Sequence, residues 1–133
     1  MQVNICPRLI EKMIKKDCIL ITSTYFPIMG LPLGIYSTQN YKIGDIVHVM
    51  SGKLLTIPTK KSIHIGNNMH LEDKFGQYIN HSFEPNVMVE NNKLIAIKDI
   101  NIYDEITFNY NDNELEMASP FEDDGILVCG RKN

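Results

Sequence analysis

Eight short runs of β-branched and aromatic residues, each closed by turn-forming residues, set the tightest limit on what this chain can fold into. They fall near 19–22, 34–37, 46–50, 54–57, 63–65, 87–90, 94–98 and 105–108. Lys42-Ile43-Gly44-Asp45, Gly66-Asn67-Asn68 and Asn91-Asn92 read as turns between them. One helical pattern stands near the start, over 10–16, with Pro7 at a first-turn position and Ile10, Met13 and Ile14 at helical spacing. From Asp112 to Asp124 the chain carries six acids, no base and no strand pattern, and reads as a loop or short helix. Runs this short predict a mostly β fold of several small sheets with few short helices. The strand–helix alternation of a doubly wound domain is missing, as is any Gly-x-Gly-x-x-Gly, so a Rossmann-type enzyme is excluded.

At 133 residues and 15.2 kDa the chain makes one domain over 1–133, with a core at about 19–111 and a tail at 112–133. A domain of this size buries roughly two-thirds of its unfolded surface and needs no staples. Its 44% hydrophobic and 22% charged residues are globular and exclude wholesale disorder. Residues 1–61 carry eight basic and three acidic groups, whereas 62–133 carry five basic and thirteen acidic. That acidic half suits a cationic partner such as a lysine-bearing peptide, and the net charge of −3 argues against direct nucleic-acid binding. Cys6, Cys18 and Cys129 are odd in number and contain no Cys-x-x-Cys, so neither a metal site nor a disulfide framework is expected. With no signal-peptide pattern and no long apolar run, the expectation is a soluble, intracellular and most naturally cytoplasmic protein with no membrane partner.

The chemistry is concentrated in Gly76-Gln77-Tyr78-Ile79-Asn80-His81-Ser82-Phe83-Glu84-Pro85-Asn86. Pro85 prevents this segment from running on as a helix, and its polar side chains lie between apolar Tyr78, Ile79 and Val87. Such partly buried groups must find partners in the chain or in a ligand. On residue types alone, Asn80, Ser82 and Asn86 read more naturally as turn residues that cap backbone groups. Downstream, Asp104-Glu105-Ile106-Thr107-Phe108-Asn109-Tyr110-Asn111 reads as a strand with Phe108 and Tyr110 on one face.

Together these segments strongly resemble the paired C-terminal motifs of SET-domain protein lysine methyltransferases, N-H-S-C-x-P-N and G-E-E-L-T-F-D-Y. Gly34-Ile35-Tyr36-Ser37 is similar to the family's opening G-x-G-L-F-A, and Tyr41 to Val47 to its K-G-D/E turn. Asn113 to Phe121 and Cys129-Gly130 resemble the approach to a post-SET tail and its C-G. The likeness covers about residues 19–130.

The resemblance implies a C-terminal pseudoknot that brings Asn80 and His81 beside Tyr110. It implies a protein lysine N-methyltransferase that uses S-adenosylmethionine on a lysine-containing protein or peptide. Leu33, Gly34, Tyr78, Asn80 and His81 would bind the cofactor, Tyr110 would be the catalytic tyrosine, and Phe108 would line the lysine channel. The chain also departs from the pattern. Pro32 replaces the first glycine of G-x-G, Phe83 replaces the motif cysteine, Gln77 replaces a basic residue, and Cys129 lacks the partners of a zinc site. The tail would then close the channel by packing, with Met117 or Phe121, or leave it open. Pro32 and the short tail motivate an alternative, a catalytically weak SET-like module that binds peptide or cofactor as an interaction protein.

Overall fold

A computed structural model describes residues 18–21 and 34–131. The helix expected over 10–16, and the positions of Pro32 and Leu33, lie outside the described residues.

Among the described residues the strands form five small sheets. β1 (Cys18–Ile21) pairs antiparallel with β2 (Gly34–Ser37). β3 (Ile46–Val49), β4 (Gly52–Leu55), β5 (Ile63–Gly66) and β6 (Met69–Asp73) follow. A 3₁₀ turn, η1 (Gly76–Tyr78), leads into β7 (Asn80–His81), and then come β8 (Val87–Glu90), β9 (Lys93–Ala96) and β10 (Thr107–Phe108). A one-turn helix α1 (Tyr110–Asn113) and the hairpin β11 (Phe121–Asp123)–β12 (Ile126–Val128) complete the order. Two antiparallel three-stranded sheets, β3-β9-β8 and β4-β6-β5, flank the parallel pair β7–β10.

Local chemistry accounts for the joints. β5 and β6 meet at Asn67-Asn68, both at left-handed φ (53° and 58°), which asparagine tolerates better than most residues and which matches strand twist. Along β8 and β9, buried Val87, Leu94 and Ala96 alternate with exposed Met88 and Lys93, so one face of the sheet enters the core. That core joins Ile35, Val47, Ile79, Leu94, Ile106 and Phe108, which ties the β7–β10 pair to both larger sheets.

Most expected strands appear within one or two residues of their predicted limits, and three expectations need correction. The 105–108 strand is regular only over Thr107–Phe108, because Asn109 caps a helix that begins at Tyr110. Phe108 and Tyr110 are therefore not alternate residues of one strand, although their rings still lie 4.9 Å apart. The end of the 112–124 stretch is neither loop nor short helix but strand β11, closed by a turn at Asp124 (φ 55°) and Gly125 (φ 80°). β6 was not expected, because Met-His-Leu-Glu-Asp lacks β-branched residues; two neighbouring strands supply its order. No helix among the described residues is long and apolar enough to cross a membrane.

Candidate active site

Asp73 builds the approach to the site. Its carboxylate meets His48 Nε2 at 3.1 Å and accepts the N–H groups of Ser51 (2.8 Å), Phe75 (2.9 Å) and Gly76 (2.6 Å). Burial opposes this charge, but the His48 bond and the Ser51 and Gly76 amides outweigh it and hold the carboxyl below its ordinary range. So anchored, η1 turns the chain and delivers Ile79, Asn80 and His81 into β7.

β7 lies in parallel register with β10, Asn80 opposite Thr107 and His81 opposite Phe108. Asn86 clamps the crossing: its Nδ2 donates to the Glu105 carbonyl (2.8 Å) and its Oδ1 accepts the Thr107 N–H (2.9 Å). Ser82 Oγ accepts the Glu84 N–H at 3.0 Å. Two of the three polar residues thus do cap backbone groups, whereas Asn80 points its Nδ2 at Glu105 Oε2, 2.6 Å away. Gly34 opens onto that same pair. A Cβ there would stand 2.5 Å from Glu105 Oε2 and 2.9 Å from Asn80 Nδ2, so a larger residue would have to displace that carboxylate and amide.

Tyr110 follows immediately. Asn109 Oδ1 accepts the Asn111 N–H at 2.9 Å, an N-cap that turns the chain into α1. The Tyr110 N–H donates to His81 Nδ1 at 3.0 Å, and its hydroxyl donates to the Ile79 carbonyl. Burial, followed by the charges of Glu114 and Glu105, pushes the phenol well above its ordinary pKa, so it stays protonated. His81 is pushed down by burial, which outweighs the raising effects of Asp123 and Asp112. Its ring is enclosed by Phe83 (4.4 Å), Tyr110 (5.2 Å) and Phe121 (6.0 Å), and the Asp123 carboxylate lies 3.8 Å from Nε2.

A cavity of about 290 Å³ opens beside Tyr110. Ile79, Phe108 and Tyr110 line it, together with Met117 and Phe121 of the tail and exposed Lys60 and Lys61. Both tail side chains considered from sequence, Met117 and Phe121, thus border the cavity. Asn111 holds the tail there: its Oδ1 accepts the N–H groups of Cys129 and Gly130, each at 3.0 Å, and its Nδ2 donates to the Leu127 carbonyl at 3.1 Å. Gly130 sits at φ +104°, where a Cβ would come within 2.9 Å of the Glu114 and Leu115 carbonyls. Cys129 is a buried free thiol, and no set of three metal-ligating side chains gathers among the described residues.

Of the residues singled out from sequence, Gly34, Asn80, His81, Phe108 and Tyr110 come together. Tyr78 does not share the cavity; it is half-buried and packs against the core. Glu105, Asn111 and Glu114 were missed. All three stood inside recognised segments, but only the Glu105–Asn80 contact joins the two paired motifs to each other, so it was the one most within reach of sequence reasoning.

The comparisons bear directly on this scaffold. Among solved structures, a Plasmodium falciparum chain named as a candidate histone methyltransferase is 25% identical, with a TM-score of 0.52, over 71% of this chain and 93% of that one. An inhibitor-bound, humanized mutant of the Chaetomium thermophilum Polycomb Repressive Complex 2 is 20% identical, with a TM-score of 0.54, over 86% of this chain and 19% of the other. An apo form of the same complex, mutated in Ezh2, is 20% identical with a TM-score of 0.54, over 81% and 18%. This chain thus spans a fifth or less of the Polycomb chains it matches. A comparison with curated proteins returns no match. The model of the SET domain family matches residues 32–111, the stretch that holds Gly34, the β7–β10 crossing and Tyr110, and with more than half of its length accounted for in this way the chain belongs to the SET domain family.

Proposed function

We propose that this chain is an S-adenosylmethionine-dependent protein lysine N-methyltransferase. The observation that carries the reading is the meeting of Tyr110 with Ile79 and His81 beside a cavity that Tyr110, Ile79 and Phe108 line. The residues fit the cofactor. Backbone at Gly34 is bare toward Asn80 and Glu105, and the Glu105 carboxylate offers negative charge to a ligand that carries a sulfonium and an ammonium. Gly34, Asn80 and the main chain of His81 would hold it, since the His81 side chain is already committed to Tyr110 and the rings around it. When bound, the cofactor supplies a methyl group on positively charged sulfur, open to displacement by a neutral amine.

The chain's own residues align and desolvate. A lysine with an ordinary pKa of about 10.4 is almost wholly protonated at neutral pH, so it must give up a proton before it can attack. Tyr110 is not the base, because its proton is held by burial and by two carboxylates and is bonded to the Ile79 carbonyl. Its oxygen keeps lone pairs that accept from the reacting groups, and Phe108 and Ile79 exclude water from the side-chain path.

Purified protein incubated with labelled S-adenosylmethionine and a peptide array or host lysate is expected to transfer label to lysine. Tyr110→Phe should lower turnover by roughly a hundredfold while cofactor binding persists. Asn80→Ala should instead weaken cofactor binding clearly. Wild-type turnover in the first variant would remove Tyr110 from the reaction, and unchanged cofactor affinity in the second would overturn the assignment of Asn80.

A further inference from the structure

Glu114 is 6% exposed and stands four residues after Tyr110, its N–H bonded to the Tyr110 carbonyl at 2.8 Å. Both carboxylate oxygens accept the His64 N–H (3.2 Å each), and Oε2 accepts from Asn113 Nδ2 at 2.6 Å. These are neutral donors. Among the described residues no ion pair includes Glu114, and Arg131 acts on it only from beyond salt-bridge distance, so the buried negative charge stands without a cation in contact. Burying an unpaired carboxylate is costly, and burial raises this one to about 7, more than Asn113, the His64 amide and Arg131 lower it.

A place for the missing cation lies alongside. Glu114 lines the same cavity as Tyr110, Phe108 and Ile79, and it is the only acid among the described residues that do so. We propose that Glu114 is a specificity-determining residue that receives the positive charge of the target lysine's ammonium in this cavity, an assignment resting on the methyltransferase reading above. The surroundings favour that role. Tyr110 stays a neutral phenol on which Glu105 also acts, and Lys60 and Lys61, which border the cavity as well, are exposed. His64 of β5 presents its amide to Glu114 and its Nδ1 to the Asn113 carbonyl, 3.0 Å away. His70 of β6, behind His64, is pushed down by burial and by His64, and Arg131 approaches from the C-terminal segment. Glutamine at 114 removes the charge and keeps one oxygen for the His64 amide, at the cost of a weaker bond from Asn113.

The test uses the purified chain and two labelled degenerate peptide libraries, one with lysine and one with norleucine at the centre, read by fluorescence anisotropy. At pH 8 the wild type is expected to prefer lysine by about tenfold, the scale of a hydrogen bond to a charged group. That preference should fall toward unity at pH 6, as Glu114 takes up its proton, and should be absent at both pH values in Glu114→Gln. In the transfer assay the variant should raise KM for the lysine library about tenfold with kcat nearly unchanged, the signature of lost uniform binding. An equal lysine preference in wild type and variant, or a wild-type preference that ignores pH between 6 and 8, would overturn the proposal. Should the variant fail to fold, the wild-type pH comparison decides alone. A wild type that discriminates lysine from norleucine but transfers no label would overturn the methyltransferase reading and leave Glu114 as a lysine-recognition residue.

Discussion

The amide of Tyr110 donates to Nδ1 of His81 across 3.0 Å, joining residues 29 positions apart. That bond fixes the tautomer, since an accepting Nδ1 leaves the imidazole proton on Nε2. It also makes the position of the tyrosine hydroxyl depend on an acceptor at residue 81. His81→Asn can place an amide oxygen near Nδ1, whereas His81→Ala removes both the acceptor and the ring packed on Phe83 and Phe121. We expect His81→Ala to cost about 2–4 kcal/mol in chemical denaturation. His81→Asn should cost less and keep more of the methyl-transfer rate. Equal losses in the two variants would show that ring packing, not the bond to Tyr110, is what matters.

Stability should depend on pH in two opposed ways. The unfolded chain protonates its histidines near 6.5, but burial lowers both His70 and His81, so below that value the unfolded state binds more protons and stability falls as pH falls. Glu114 acts in the other direction. Its folded value of about 7 exceeds the ordinary 4.5, so the native state holds the extra proton between them and stability falls as pH rises through that window. Glu114→Gln should therefore be more stable than wild type at pH 8, by about 1–2 kcal/mol after the weakened Asn113 bond is allowed for. The gap should shrink toward pH 5, and a pH-independent gap in denaturation midpoints would contradict the raised value.

What could be read in advance follows the range of each interaction. β8 and β9 alternate buried and exposed residues and carry their own turn at Asn91, so local sequence was enough to find them. β6 and β7 carry no such signal, because their order comes from distant partners: β4 and β5 for the one, β10 for the other. The same division runs through the site. Asn80, His81 and Tyr110 belong to a recognisable motif, but Glu114 matters only because the chain folds it under Tyr110 and against His64, fifty residues away. The tail hairpin was hidden for a similar reason: exposed Phe121 and Glu122 show no buried face, and the hairpin is held from outside by Asn111.

Asn111 is therefore the residue to remove if the tail is to be loosened without touching the cavity wall. It meets three backbone groups of 127–130, and the Cys129 and Gly130 N–H groups it serves belong to buried residues. Asn111→Ala should cost about 2–3 kcal/mol, since it strands donors away from water. Limited proteolysis should then cut within 121–128 well before the rest of the domain. A variant as resistant there as wild type would mean that the packing of Phe121 on Tyr110 and His81 holds the hairpin by itself.

Phe108 sets an expectation about how many methyl groups are added. Its ring is 3% exposed, lines the cavity and lies 4.9 Å from that of Tyr110, so under the proposed methyltransferase reading it would border the path of the amine to the hydroxyl. Phenylalanine offers no hydroxyl there to fix the amine or a water beside it, which leaves a mono- or dimethylated nitrogen room to turn for a further transfer. Wild-type protein should then accumulate di- or trimethyl-lysine. In Phe108→Tyr the added hydroxyl takes up space and supplies a hydrogen bond that holds the amine in one orientation, so products should shift toward monomethyl-lysine. The variant should also keep cofactor affinity, because Phe108 lines the cavity, whereas the proposed cofactor contacts lie at Gly34 and Asn80. Mass spectrometry at long reaction times decides the matter: only monomethyl-lysine from the wild type would refute the expectation.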